Sequence, residues 1–354
     1  MEGGRLSESS QRSGPRVTSR DVARRAGVSQ SSVSRAFTPG ASVAKQTRQA
    51  VIDAARELGY RPNAFARSLI KRQSRIIGLM ISQLDNPFYP RVVEAISRRL
   101  QANGYHVLVF LTRGEDADDD LQEILQYPVA GLLMASATLS SRLAGECAAA
   151  GIPIVLLNRS VADAAVVSVT ADNWRGGYDV AGFLLNAGHR QPAFIAGLTN
   201  TATSRDREAG FLHGLRVRGV DCLTRAVGHY TFAGAESAAL TLFNVSTPPD
   251  AVFVANDHMA IAVMETLRSQ LGLRIPDDVS VIGYDNVPQA AWASYRLTTV
   301  EQPADRMVET AVNALLAQVE GGRVIEKRIV IRGRLIVRSS ARSSTPPDCA
   351  SGES

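Results

Sequence analysis

Two short helical patterns meet at Gly27-Val28-Ser29, and no other stretch constrains the fold of this chain so tightly. Thr18 with Asp21 three residues on reads as a capping box with a short acid. Val22, Ala23 and Ala26 then line one face of a short helix. Gly27 supplies the left-handed turn that a sharp reversal needs, and Val28 plugs the angle between the helices. Ser29 caps a second helix, with Val33 and either Ala36 or Phe37 facing inward. A third helix fits Lys45 to Leu58, with Thr47, Val51, Ala54, Ala55 and Leu58 at helical spacing and Gly59 ending it. The pattern is a helix-turn-helix, whose second helix fits a DNA major groove. Its outward face carries Gln30, Ser31, Ser32 and Arg35, the last able to fork onto guanine. Such a turn also occurs in small helical domains that bind no DNA, so spacing alone leaves that reading open.

Charge separates the chain into two parts. Residues 1–72 hold fourteen Lys and Arg against five Asp and Glu, a surplus of nine, while the whole chain is +5. The remaining residues are therefore at −4. A basic head on a mildly acidic body suits a polyanion binder that carries a second function. At 354 residues, two or three compact units are expected.

From Arg75 onward apolar runs alternate with helical stretches. Strands are expected at Ile76–Ser82, His106–Leu111, Gly131–Ala135, Pro153–Leu157, Val166–Thr170, Ala193–Gly197, Ala251–Ala255 and Val279–Tyr284. Several helices stop at a glycine and turn straight into a strand, as at Gly104, Gly151, Gly188 and Gly272. Continuous apolar strands joined by helices imply parallel sheets buried on both faces, and the length holds two. Ligands of open α/β sheets sit beyond the carboxyl ends of the strands. Those ends carry Asp85-Asn86-Pro87-Phe88-Tyr89, Asn158-Arg159, Asp172-Asn173, Asn256-Asp257 and Asp285-Asn286. Amides, carboxylates and an Arg converging with an aromatic suit a hydroxyl-rich ligand. Each has a duller reading, as a helix cap or, for Phe88 and Tyr230, as core.

Asp21-Val-Ala-x-x-Ala-Gly-Val-Ser-x-x-Ser-Val-Ser-Arg closely resembles the headpiece of the lactose-repressor (LacI/GalR) family. So does Val43-x-x-x-Thr47-Arg48-x-x-Val51 leading to Leu58-Gly59-Tyr60-x-Pro62-Asn63. The resemblance continues, more loosely, to about residue 340. It implies an α/β chain with an all-α headpiece and a periplasmic-binding-protein-like (type I) body of two Rossmann-like subdomains joined by three crossovers. The implied layout is an N-terminal extension (1–15, expected disordered), headpiece (16–61), hinge helix (62–73), body (74–342) and a disordered tail (343–354). Subdomain one would be about 74–171 and 300–328, and subdomain two about 172–298 and 329–342. DNA contacts would come from Thr18, Ser29, Gln30, Ser31, Ser32 and Arg35, and from Asn63, Ala66 and Leu69 of the hinge. Leu69 stands at the position of a leucine wedge that opens the minor groove. Effector contacts would come from Asn86, Phe88, Asn158, Arg159, Arg207, Tyr230, Asn256 and Asp285. Ala135, Ser136 and Ala137 depart from a more polar family pattern, and Asn158 stands where Asp is common, which leaves the ligand open between a sugar, a sugar acid and a related metabolite.

The implied function is a transcriptional regulator, repression before activation, acting as a homodimer on a near-palindromic double-stranded operator under control of a small polar ligand. No catalytic residue, metal or cofactor is expected. The five histidines lack metal-ligand spacing, and no P-loop, G-x-S-x-G or G-x-G-x-x-G occurs. Scattered Cys147, Cys222 and Cys349 and a polar N-terminus point to a cytoplasmic protein, and the implied DNA role to a nucleoid-associated one. A transport-type solute-binding protein without a DNA role is the alternative that the body alone would allow. No apolar run reaches the roughly 20 residues that span a bilayer.

Overall fold

The computed structural model describes residues 17–38, 40–61, 74–112, 122–135, 140–160, 166–221 and 224–343. The hinge positions Asn63, Ala66 and Leu69, both termini, Ser136, Ala137, Cys222 and Cys349 lie outside them. The chain divides into two compact units, residues 1–74 and 75–354.

The first unit holds α1 (Ser19–Ala26), α2 (Gln30–Ala36) and α3 (Lys45–Glu57). Asp21 accepts from the Thr18 backbone N–H at 2.9 Å and from its hydroxyl at 2.7 Å. These two bonds hold its carboxyl below the usual carboxylate range. Gly27 turns the chain at φ 66°, in the left-handed region. Val22, Ala23, Val33, Ala36, Val51, Ala54 and Ala55 form the miniature core, with Ala26, Val28, Phe37, Leu58 and Tyr60 packed around it. Arg48 adds a brace that helix periodicity does not show. Its guanidinium donates to the carbonyls of Ala36 (2.5 Å) and Ala41 (2.9 Å), tying α3 to the end of α2 and the loop beyond.

The second unit contains two six-stranded sheets. The first has the order β11-β5-β4-β3-β1-β2, formed by β1 (Ile76–Ile81), β2 (His106–Leu111), β3 (Gly131–Ala135), β4 (Ile154–Leu157), β5 (Val167–Ala171) and β11 (Arg328–Ile331). All its pairings are parallel. The second has the order β12-β10-β9-β8-β6-β7, from β6 (Pro192–Ala196), β7 (Thr224–Val227), β8 (Ala251–Val254), β9 (Ser280–Asp285), β10 (Thr298–Glu301) and β12 (Leu335–Ile336). Only β12 runs antiparallel there. The helices are α4 (Phe88–Ala102), α5 (Ser141–Ala149), α6 (Asn173–Asn186), α7 (Ala202–Arg216), α8 (Phe232–Phe243), α9 (Asp257–Ser269) and α10 (Ala304–Val319). Gly104, Gly151, Gly188 and Gly272 all have φ between 64° and 92°, so each ends its helix as expected.

The eight expected strands are present within a residue or two. Four others, β7, β10, β11 and β12, fall outside that set. Edge strand β7 is short and half-exposed. β10 is rich in Thr yet buried, because Thr299 Oγ1 donates to Asp257 at 2.6 Å and Thr298 Oγ1 donates to the Arg338 carbonyl at 2.9 Å. The expected subdomain change after 328 falls a few residues later: β11, through Ile331, pairs with β5 of the first sheet. The earlier change, expected near 300, follows β10, which pairs with β9 through Glu301. The chain therefore crosses between subdomains after β5, after β10 and between β11 and β12.

Candidate functional site

The head presents one exposed polar face on α2. Ser29 is the cap: its hydroxyl accepts from the Ser32 backbone N–H at 3.2 Å and lies 2.8 Å and 2.9 Å from the hydroxyls of Ser31 and Ser32. Gln30 donates to Ser19 Oγ at 2.9 Å, fixing the start of α2 against the start of α1. Arg35 lies one turn after Ser31, exposed, its Nε 3.4 Å from the Ser31 carbonyl. Thr18 is exposed at the mouth of α1. Arg20, Arg24 and Arg25 are exposed on α1, and Arg25 pairs with Glu57 at 2.5 Å.

In the body, the carboxyl ends of both sheets converge on a narrow cavity with a free volume of about 10 Å³, room for about one water. Gln83, Asn86, Tyr89, Asn158, Arg159, Thr203, Arg207, Tyr230, Asn256 and Asp285 line it. Seven of the eight expected effector positions are thus brought together. The exception is Phe88, which is 3 % exposed and packs into the core edge-to-face on Tyr89. The neighbouring Tyr89 lines the cavity instead, its hydroxyl accepting from Asn158 Nδ2 at 3.2 Å. The turn before α4 decides this: Asn86 Oδ1 accepts from the Phe88 N–H at 3.0 Å, which starts the helix with Phe88 on its inward face. Gln83, Tyr89 and Thr203 were missed by the sequence reading, which took only the first aromatic of the Asn-Pro-Phe-Tyr run.

Arg207 anchors the site. It is 2 % exposed, donates through Nε to Asn173 Oδ1 at 2.8 Å and through Nη1 to the Ala255 carbonyl, and sits 3.7 Å over the Tyr284 ring. Burial works against its charge, but Tyr230, Tyr284 and Asp285 more than offset that, so its pKa moves up. Asp172 caps α6 by accepting from the Arg175 N–H at 3.0 Å, so it is cap and Asn173 is the residue that holds Arg207. Helices α6 and α7 meet almost backbone to backbone: a Cβ on Gly177 would overlap the Arg207 carbonyl, and one on Gly210 the Trp174 carbonyl.

Asp285, with φ 126°, accepts from Gln302 Nε2 at 2.5 Å and lies 3.4 Å from Asn86 Nδ2 and 3.9 Å from Arg207. Burial pushes its pKa up to about 6 against the opposing charge of Arg207. Behind it, burial and the charge of Asp285 push Asp257 up to about 7. The Asn86–Asp285 and Arg159–Thr203 contacts, at 3.4 Å and 3.5 Å, run between the two subdomains across the cavity. Around this space, Asn158 Oδ1, Arg159 Nε and Nη2, Tyr230 OH and Asn256 Nδ2 have no hydrogen-bond partner within the protein. Buried polar atoms are nearly always satisfied, so a cluster of orphans marks a place where a polar molecule fits. Among the described residues no group of three or more His, Cys, Asp and Glu is placed to hold a metal ion, and no helix is long and apolar enough to cross a membrane.

Comparison with known proteins decides what this combination is. Residues 18–63 match the sequence profile of bacterial regulatory proteins of the lacI family, and residues 181–341 that of a periplasmic binding protein-like domain. The transcriptional repressor PurR of Erwinia tasmaniensis is 33 % identical over 330 residues, covering 92 % of this chain and 96 % of PurR. The chain belongs to the lacI family. Another member, the repressor CytR of Escherichia coli K12, is 30 % identical over 335 residues, covering 92 % of this chain and 97 % of CytR. Among solved structures, the lac repressor dimer bound to operator and the anti-inducer ONPF has a TM-score of 0.82 at 29 % identity, covering 93 % of this chain and all of that one. A cellobiose complex of the transcriptional regulator CelR has a TM-score of 0.69 at 29 % identity, covering 92 % and 100 %. The chain is thus a lacI-family DNA-binding transcriptional repressor with a ligand-binding body. The head removes the transport-type alternative, which has no use for residues 18–63.

Proposed function

We propose that this repressor acts as a cytoplasmic homodimer on a near-palindromic operator, and that a small polar effector bound between the body subdomains sets its DNA affinity. Gln30, Ser31, Ser32 and Arg35 read base edges in the major groove, while Thr18 and Ser29 face the phosphates. Asn63, Ala66 and Leu69, outside the described residues, are assigned to the hinge that enters the minor groove. Asn86, Asn158, Arg159, Arg207, Tyr230, Asn256 and Asp285 contact the effector, joined by Tyr89 and Thr203. The chain performs no catalysis and takes no cofactor.

The observation that carries this reading is the narrow polar cavity, lined by buried atoms without a partner in the protein, in the same chain as a helix-turn-helix head. The cavity is tight, with a free volume of about 10 Å³, which favours binding in which the subdomains part and re-close around the ligand. The test is to select operator DNA from random sequence and measure binding by fluorescence anisotropy. The selected site should be two inverted half-sites, and Arg35→Ala should weaken binding by about 1–3 kcal/mol and relax selection at one position in each half. Selection of no sequence, or equal binding by the variant, would refute it.

A further inference from the structure

Arg159 follows β4 with its side chain 3 % exposed. Its Nη1 donates to the Asn158 carbonyl at 2.9 Å and lies 3.5 Å from Thr203 Oγ1. Its Nε and Nη2 have no partner within the protein. Those two N–H groups share one edge of the guanidinium, run parallel, and are spaced to meet the two oxygens of a carboxylate. A buried cation with two bare donors is unfavourable until something uses them. Charge balance points the same way. The cavity is lined by two guanidiniums, Arg159 and Arg207, and by one carboxylate, Asp285, already engaged by Gln302, Asn86 and Arg207. With Asp285 ionised, the lining keeps a surplus of one positive charge.

We infer that the effector is a small hydroxylated monocarboxylic acid whose carboxylate docks on the Nε–Nη2 edge of Arg159. The inference rests on the cleft being the effector site. One carboxylate cancels the surplus charge, whereas a phosphate ester dianion overshoots it and a neutral sugar, whose hydroxyls accept from the two N–H groups, leaves the charge uncancelled. The remaining orphans, Tyr230 OH, Asn158 Oδ1 and Asn256 Nδ2, offer both donors and acceptors and meet the hydroxyls.

The test is a melting-temperature and calorimetric screen of the full chain with matched probes: D-gluconate, D-galacturonate and D-glucuronate, against D-glucose and D-galactose, with glucose 6-phosphate as the phosphate arm. At least one acid should raise the melting temperature while its neutral counterpart at the same concentration does not. Arg159→Gln should weaken that acid tenfold or more and Arg159→Lys less, with the melting temperature of each free variant measured alongside to show that it folds. The carboxylate assignment is overturned by a neutral sugar or the phosphate ester binding as well as any acid, by an acid whose affinity survives Arg159→Gln, or by no probe binding. Arg207→Lys separates the two levels. A neutral sugar whose binding is lost in Arg207→Lys leaves the cleft as the effector site without a carboxylate, and a ligand indifferent to both Arg207→Lys and Arg159→Gln removes the cleft itself.

Discussion

Asn256 serves fold and site with one side chain. Its Oδ1 caps α9 by accepting from the Met259 N–H at 2.9 Å, while its Nδ2 has no partner and lines the cavity. Read in sequence, cap and contact looked like rival explanations; the amide has two ends and does both. Tyr230 is similar in kind. It stands at φ 58° with its ring against Gly197, where an added Cβ would overlap the ring. Gly197→Ala is therefore expected to push the phenol into the cavity, weakening effector binding about tenfold or more with only a small change in melting temperature; calorimetry with the bound probe checks it. Asp257 and Asp285 give a pH signature. Both keep their protons to higher pH in the folded body, about 7 and about 6, than the ordinary 3.8 of an unfolded Asp. Between those values the folded state binds more protons, so their contribution favours folding most below about 4 and declines as pH rises through 6 to 7. Melting temperature measured from pH 5 to 8 should show this decline, and Asp257→Asn should flatten it; an unchanged slope would contradict the assignment.

At the scale of elements, the sequence was legible wherever one physical signal acted alone. Apolar runs marked eight of the twelve strands among the described residues, and glycine stops marked the helix ends. The capping pattern marked α1 and α2. It failed where a tertiary partner changed the sign of the signal. Buried Thr298 and Thr299 in β10 are tolerated because Arg338 and Asp257 take their hydroxyls, and no local pattern announces that. The Phe88 assignment failed because a helix start rotates by one residue which ring faces inward. Two element-level outcomes follow from the contacts. Ser29→Ala removes the α2 cap and should lower the stability of the head by about 1 kcal/mol, weakening DNA binding at every sequence alike, whereas Arg35→Ala changes sequence preference. Gly177→Ala forces α6 off α7 against the Arg207 carbonyl; a loss of about 1–3 kcal/mol in denaturant unfolding is expected, with effector affinity falling because Arg207 shifts.

For the whole molecule, the central claim is that closure over one small polar cavity and DNA affinity are two readouts of one equilibrium. Such coupling is worth about 1–3 kcal/mol in systems of this kind, and it runs in both directions. Resemblance and strand-end chemistry were enough to anticipate the cleft. They could not show how narrow it is, nor that one edge of Arg159 has no partner within the protein, since both depend on side chains 44 to 199 positions apart in sequence meeting across the cleft. The most direct measurement is operator affinity by fluorescence anisotropy, for wild type and Arg207→Lys, with and without whichever probe raises the wild-type melting temperature. The account predicts a change of tenfold or more in wild-type affinity and none in Arg207→Lys at the same concentration. Probe binding that leaves wild-type operator affinity unchanged, or a change that persists in Arg207→Lys, would contradict it.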